Sequence, residues 1–276
     1  MRSLSEQLDG KVAVITGGTQ GLGAATAQLF AERGAAGLVI CGRHVDKGEE
    51  MASSLTRDGC QTFFVKVDLA DTGDCRNVIA ATQSHFGQVD VLVNAAAATD
   101  RGTIFDTTPE LFDKMFNVNV RGPFFLIQES VKLMRRAKVH GTIVNVLSIS
   151  AHGGQPFITA YCASKGALST LTKNVAFALM PYRIRVNGLC IGWMNSEGED
   201  RTMKRFHGAK DGWQLEAGKK LPFGRLIEVD EVARAIAYLG SDESGLMTGS
   251  IVDFDQSVVG ACELQPPHPS TPDDVY

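Results

Sequence analysis

Nowhere does this 276-residue chain approach the ~18 consecutive apolar residues that a membrane-spanning helix needs, and its opening stretch, Met1 to Gly10, holds no apolar leader. A membrane partner is therefore not expected, and the compartment expected is the cytoplasm. Positive charge is short as well. Against 31 acidic residues stand 27 Lys and Arg, so the net charge is -4 and the pI near 5.9, without the basic face that a nucleic-acid partner requires. The six cysteines, Cys41, Cys60, Cys75, Cys162, Cys190 and Cys262, include no C-x-x-C pair. They read as buried reduced thiols, with neither a disulfide framework nor a metal site expected. Internal repeats and linkers are missing too. What is left is ordinary globular material, 44% hydrophobic and 21% charged, enough for one large α/β domain or two small ones.

What is present alternates. An apolar run from Lys11 to Thr16 breaks into a glycine turn and then a helical pattern from about Leu22 to Arg33. Gly37 to Cys41 supplies a second strand of the buried, parallel kind. Helix 45–57, strand 62–67, helix 72–86 and strand 89–94 continue the series. A long helix is expected from Pro109 to about Arg136, then strand 141–147, helix 160–180, strand 184–189, helix 229–239 and strand 250–254. Seven strands alternating with helices imply an α/β fold, a doubly wound parallel sheet in one domain over residues 1–261. Between Ile191 and Arg225 no steady periodicity is found, which reads as a functional loop of the substrate-binding kind. The last stretch, 262–276, carries Pro266, Pro267, Pro269 and Pro272 and reads as an extended tail.

The turn after the first strand runs Thr16, Gly17, Gly18, Thr19, Gln20, Gly21, Leu22, Gly23. Glycines between a strand and a helix let the backbone approach a pyrophosphate, which the helix N-terminus stabilises. Gly17, Thr19, Gln20, Gly21, Leu22 and Gly23 are thus the candidate dinucleotide contacts. After the second strand an acidic residue would bind a free ribose 2′-hydroxyl, whereas an arginine accommodates a 2′-phosphate. Here Gly42 and Arg43 follow it, which favours NADP and leaves NAD as the alternative. Asp68 and Leu69, after the third strand, are placed to meet the adenine. Asp68 reads equally well as a helix N-cap or turn residue.

Between Asn145 and Lys165 the chain sets Ser148 at the end of an apolar run, then Tyr161 and Lys165 four apart at the start of a helix. Residues so spaced share a helix face, and a cation beside a phenol lowers its pKa. Tyr161 is therefore a candidate general acid/base. Spacing of this kind is common, and alone it reads more readily as a surface Tyr and Lys on an ordinary helix.

Taken in order, Thr16-Gly17-x-x-x-Gly21-x-Gly23, Asp68, Asn94-Ala-Ala, Asn119, Ser148, Tyr161-x-x-x-Lys165 and Gly192 resemble the short-chain dehydrogenase/reductase family over residues 8 to 257. The resemblance implies a single-domain Rossmann-type fold and a hydride exchange between a nicotinamide and a secondary alcohol or ketone. It implies that Tyr161 moves the substrate proton, Ser148 hydrogen-bonds the substrate oxygen, and Lys165 lowers the tyrosine pKa and binds the nicotinamide ribose. Asn119 would hold a water linking Lys165 to solvent. Asn94, Gly192 and Ser196 join the cofactor contacts, and the family habit of homotetramers or dimers extends to this chain. Departures are Asn94-Ala95-Ala96-Ala97 for the usual Asn-Asn-Ala-Gly, Ile191-Gly192 for Pro-Gly, and Gln256-Ser257 for a double glycine.

Specificity is expected from the loops after strands four, five and six. Ser150, His152, Gln155 and Trp193 are the substrate candidates. Polar groups beside aromatic walls suit a sugar or polyol. His152 could reach the substrate, although a lone loop histidine more often only hydrogen-bonds backbone, and Ser150 could assist or replace Ser148. Two other readings remain: a catalytically silent dinucleotide sensor, and a same-fold enzyme acting on an oxo-acyl or apolar ketone or performing dehydration or epimerisation.

Overall fold

Runs in which every side chain is buried, such as Val12–Thr16, can satisfy their backbone only inside a sheet covered on both faces. The computed structural model, which describes residues 7–57 and 59–260, builds that sheet. In chain order it contains β1 (Val12–Thr16), α1 (Gly21–Glu32), β2 (Gly37–Gly42), α2 (Val45–Leu55), β3 (Gln61–Lys66), α3 (Thr72–Phe86) and β4 (Val91–Asn94). Then come α4 (Pro109–Phe116), a π turn (Asn117–Arg121), α5 (Gly122–Ala137), β5 (Thr142–Ser148) and α6 (Thr159–Leu179). The chain goes on through β6 (Arg185–Ile191), β7 (Met194–Asn195), α7 (Glu197–His207) and α8 (Trp213–Gly218). β8 (Ile227–Glu228), α9 (Val229–Gly240) and β9 (Ile251–Phe254) complete it.

Seven strands form one parallel sheet in the order β3-β2-β1-β4-β5-β6-β9. The order reverses between β1 and β4, the switch point at which such sheets open a crevice. Alternation along β1 sorts the two faces. Ala13 and Ile15 pack with Phe30 of α1 and Ile236 of α9, whereas Val14 packs with Val78 of α3 and Leu126 and Leu133 of α5. Thr16, Gly42, Asn94, Ser148 and Ile191 consequently end on one rim of the sheet.

Two expectations are revised. The long helix from Pro109 is interrupted by the π turn, where the amide of Gly122 donates to the carbonyl of Asn117. The extra residue lets Gly122 press against the backbone of Leu69, where an added Cβ would lie 2.7 Å from the Leu69 carbonyl oxygen. The stretch 191–225 is not a structureless loop. It holds α7 and α8, and β7 pairs in parallel with β8. No residue of α7 is buried, so it carries no apolar stripe to read. Its signature is polar instead: Ser196 as N-cap, Glu197, Glu199 and Asp200 in the first turn, Lys204, Arg205 and His207 in the last, and Gly208 closing it. The tail expected over 262–276 lies outside the described residues.

Candidate active site

The glycine turn rises from β1 with Gly17 at φ 69° and Gly21 at φ 52°, backbone that a residue with a Cβ rarely adopts. Helix α1 then starts with no side-chain cap and no acidic residue in its first turn. α3, α4 and α7 differ, since Asp71, Thr108 and Ser196 accept from their first amides. The leading amides and positive dipole end of α1 are thus left for an external anion. Arg43 and Asp68 stand exposed at the ends of β2 and β3, and Leu69 is buried. These residues fit a phosphorylated dinucleotide laid over the rim, with the glycine turn and Thr19 at the pyrophosphate and Arg43 at a 2′-phosphate. One carboxylate oxygen of Asp68 accepts from the amide of Ala70 at 2.9 Å, so the turn role read from sequence is real.

After β4, where a side-chain amide and a glycine of the usual pattern are missing, the turn is held from β1. Thr16 Oγ1 accepts from the amides of Ala95 and Ala96, both at 3.0 Å. Asn94 is buried and donates its side-chain amide to Asn145 Oδ1 at 2.8 Å, while its own Oδ1 has no protein partner. Asn94 is therefore a packing residue under the crevice. Gly192 donates its amide to the carbonyl of Phe254 at 3.0 Å, and Ser196 Oγ accepts from the amide of Glu199 at 3.1 Å as a helix cap.

The proton-handling residues converge where β5, the π turn and α6 meet. Ser148 is the last residue of β5 and is nearly buried; Tyr161 and Lys165 lie one turn apart on α6. Lys165 Nζ donates to the carbonyl of Val146 at 2.8 Å and lies 5.7 Å from the centre of the Tyr161 ring. Burial brings the lysine down to about 8 and pushes the tyrosine up to about 12. For Tyr161 burial is the largest influence; a hydrogen bond with Ser148 acts downward, the charge of Glu199 upward, and Arg101 weakly downward. Burial, not Lys165, thus sets the direction for the phenol in this arrangement. Asn119 is buried in the π turn, accepts from the amide of Ala98 at 2.8 Å, and donates to the Ala98 carbonyl and to Ser164 Oγ, both at 3.0 Å. With both amide hydrogens engaged, its side chain clamps the β4 loop to α6. The water expected on it would have to use another atom.

Ser150 is buried beside Ser148, and Gln155 joins it from the loop that leads to α6. His152 turns the other way, its Nε2 3.0 Å from Asp253 Oδ1 on β9, with the Cys190 thiol near both. Trp193 donates its indole N–H to Glu199 at 3.0 Å and stacks on Trp213, 5.4 Å between ring centres. Its polar edge is thereby taken by α7, and its ring is what can face a ligand.

Three charged residues of the loops expected to set specificity, Arg101, Glu199 and Arg201, make contacts that the sequence did not signal. Arg101, in the loop after β4, donates to His207 Nε2 at 3.2 Å and lies 3.8 Å from Glu199, so it ties both ends of α7 above Tyr161. Arg201 of α7 donates to Gln20 at 3.1 Å, which brings a cation to the glycine turn. No spacing signalled these contacts, because they join segments 100 or more residues apart, as the separations of 106 and 181 show.

A family model described as enoyl-(acyl carrier protein) reductase matches residues 17–257. The chain is 35% identical over 250 residues to the NADP-dependent (R)-specific alcohol dehydrogenase of Lentilactobacillus kefiri, covering 90% of this chain and 96% of that enzyme. It is 30% identical over 253 residues to galactitol 2-dehydrogenase of Agrobacterium fabrum, covering 90% and 97%. Among solved structures, L-sorbose reductase from Gluconobacter frateurii complexed with NADPH and L-sorbose superposes with a TM-score of 0.86 at 28% identity, covering 94% of this chain and 100% of that one. The chain belongs to the short-chain dehydrogenase/reductase family. It is an oxidoreductase of alcohol and carbonyl groups.

Proposed function

We propose that this enzyme transfers hydride between NADP(H) and the secondary alcohol or ketone carbon of a polar small molecule, a sugar or polyol, with Tyr161 as general acid/base. The observation that carries the reading is the convergence of Ser148, Tyr161 and Lys165 on the rim beside an uncapped α1 N-terminus. The dinucleotide, when bound, accepts or supplies the hydride. The protein does the rest. Tyr161, whose raised pKa favours the protonated phenol, gives that proton to the substrate oxygen in reduction and, as the phenolate, takes one from the alcohol in oxidation. Ser148 hydrogen-bonds the same oxygen. Lys165, with two ammonium hydrogens beyond the one given to Val146, is placed to bind the nicotinamide ribose and to lower the phenol when the two approach.

Arg43 supports NADP over NAD, as does the NADP dependence of the Lentilactobacillus kefiri relative. Galactitol and L-sorbose, named for a relative and for a similar structure, support a polyhydroxylated substrate. We infer one domain, a homo-oligomer and a cytoplasmic setting. The apolar groove that Phe124, Val131, Leu171 and Val175 line between α5 and α6 favours a second copy, and five free thiols among the described residues favour a reducing compartment.

The test is a screen of ketoses, polyols and small ketones against NADPH and NADH, read as absorbance of the reduced nicotinamide. Product formation without absorbance change would sink the dehydrogenase reading, and turnover confined to bulky apolar ketones would sink the sugar reading. Tyr161→Phe is expected to lose turnover at least ~100-fold, with dinucleotide binding by fluorescence titration nearly unchanged. Retained turnover in that variant would remove Tyr161 from the chemistry.

A further inference from the structure

Ser148 has one hydroxyl proton and several claimants for it. Its Oγ donates to Ser150 Oγ at 3.0 Å, and Ser150 Oγ in turn donates to Gln155 Oε1 at 2.6 Å. The same Ser148 oxygen accepts from the amide of Ser150 at 3.2 Å, and Ser148 acts downward on the Tyr161 phenol. With protons running Ser148 to Ser150 to Gln155, Ser148 has none to give to a substrate. Negative charge grows on the substrate oxygen in the transition state of hydride transfer in either direction, and there only a donor helps. The direction of this chain therefore decides what Ser148 can do.

A serine hydroxyl can turn round, but it does so usefully only if the next group can change role with it. Gln155 can, because its carboxamide presents an acceptor on one side and donors on the other. We propose that Gln155 is a positioning residue which sets the polarity of the Ser148–Ser150 chain. With the carboxamide turned so that its N–H faces Ser150, Ser150 donates to Ser148, and Ser148 donates to the substrate oxygen. Ser150 is 3% exposed, so water does not readily replace Gln155 in that role. The loop makes the arrangement stiff, since the amide of Ile158 donates to the Gln155 carbonyl at 3.2 Å and Ser150 is held in the short turn Ile149–His152. The inference rests on the Tyr161–Ser148 reading above.

Gln155→Glu, Gln155→Met and Ser150→Ala in the full chain separate a polarity role from packing, with NADPH-driven reduction of L-sorbose and of dihydroxyacetone as probes. A carboxylate at 155 can only accept, which locks the chain in the direction that strips Ser148 of its proton. At pH 8 the expected order of kcat is parent, then Gln155→Met, then Gln155→Glu, the last down about 10- to 100-fold, with KM for NADPH unchanged. As pH falls toward 5 the glutamate takes up a proton and can donate, so the deficit of Gln155→Glu relative to Gln155→Met should shrink. Adding Ser150→Ala to Gln155→Glu disconnects the carboxylate and should bring kcat to within about 3-fold of Ser150→Ala alone. Equal losses in the Glu and Met variants, no pH recovery, and additive effects of Ser150→Ala would overturn the proposal. A failure of Tyr161→Phe to abolish turnover would instead overturn the reading beneath it, so the two outcomes are told apart.

Discussion

Lys165 is 2% exposed and has a single protein acceptor, the carbonyl of Val146. A buried ammonium with unused hydrogens is destabilising, and its fall from 10.5 to about 8 measures that cost at about 3 kcal/mol. Below pH 8 both folded and unfolded chains carry the proton, and the whole penalty is present. Between pH 8 and 10.5 the unfolded chain binds more protons, so stability rises with pH; above 10.5 the penalty is gone. Tyr161 acts oppositely, because its rise to about 12 makes the folded state hold its proton longer, and stability falls as pH climbs from 10 toward 12. Lys165→Met should therefore raise unfolding free energy by about 1–3 kcal/mol at pH 7 while abolishing turnover. Urea titrations at pH 7 and pH 10 check it: the advantage should shrink strongly at the higher pH, and a variant less stable at pH 7 would mean that packing dominates.

Among the elements, α7 is held mainly by polar contacts. None of its residues is buried, and it is held by Arg101, Trp193, Trp213 and Gln20. Such an element belongs to the low end of local stability, where it can open and close over a crevice. Ser196→Ala removes the cap at its N-terminus and should lower its local opening free energy by about 1 kcal/mol. Hydrogen exchange of residues 197–207 should quicken about 5-fold, with the global melting temperature unchanged; a drop in that temperature would make α7 part of the cooperative core. The same polarity explains why an apolar-periodicity reading passed over it. Its cap, charge order and closing glycine were all legible, and only the hydrophobic stripe was missing. The opposite happened at Pro109 to Arg136, where the stripe was clear and the π turn was not. That turn arises because Gly122 fits against Leu69, 53 residues earlier in the chain, which no local pattern encodes.

Taken as a whole molecule, the chain leaves Phe177 79% exposed and Phe124 42% exposed on α6 and α5. Apolar faces of this sort on two neighbouring helices suit a self-complementary contact. Phe177→Glu should shift the molar mass seen by size-exclusion light scattering toward the monomer, with the far-ultraviolet circular dichroism unchanged. An unaltered mass would place any interface elsewhere.

The sequence by itself determined the alternation of buried strands and helices, the glycine turn, and the presence of Ser148, Tyr161 and Lys165 at family spacing. These are local facts, since burial period, positive φ and one-turn proximity are written within about 20 residues. Tertiary structure alone decided which influences on Tyr161 win. Burial sets the direction of the phenol's shift, Arg101 arrives from the loop after β4 and Glu199 from α7, and the amide of Asn119 is spent on Ala98 and Ser164. It also decided that Ser150 and Gln155 form one chain with Ser148 and that His152 turns away to Asp253. Hydrogen bonds and desolvation act over a few ångströms through space, and the residues that meet there are brought together only when the sheet closes.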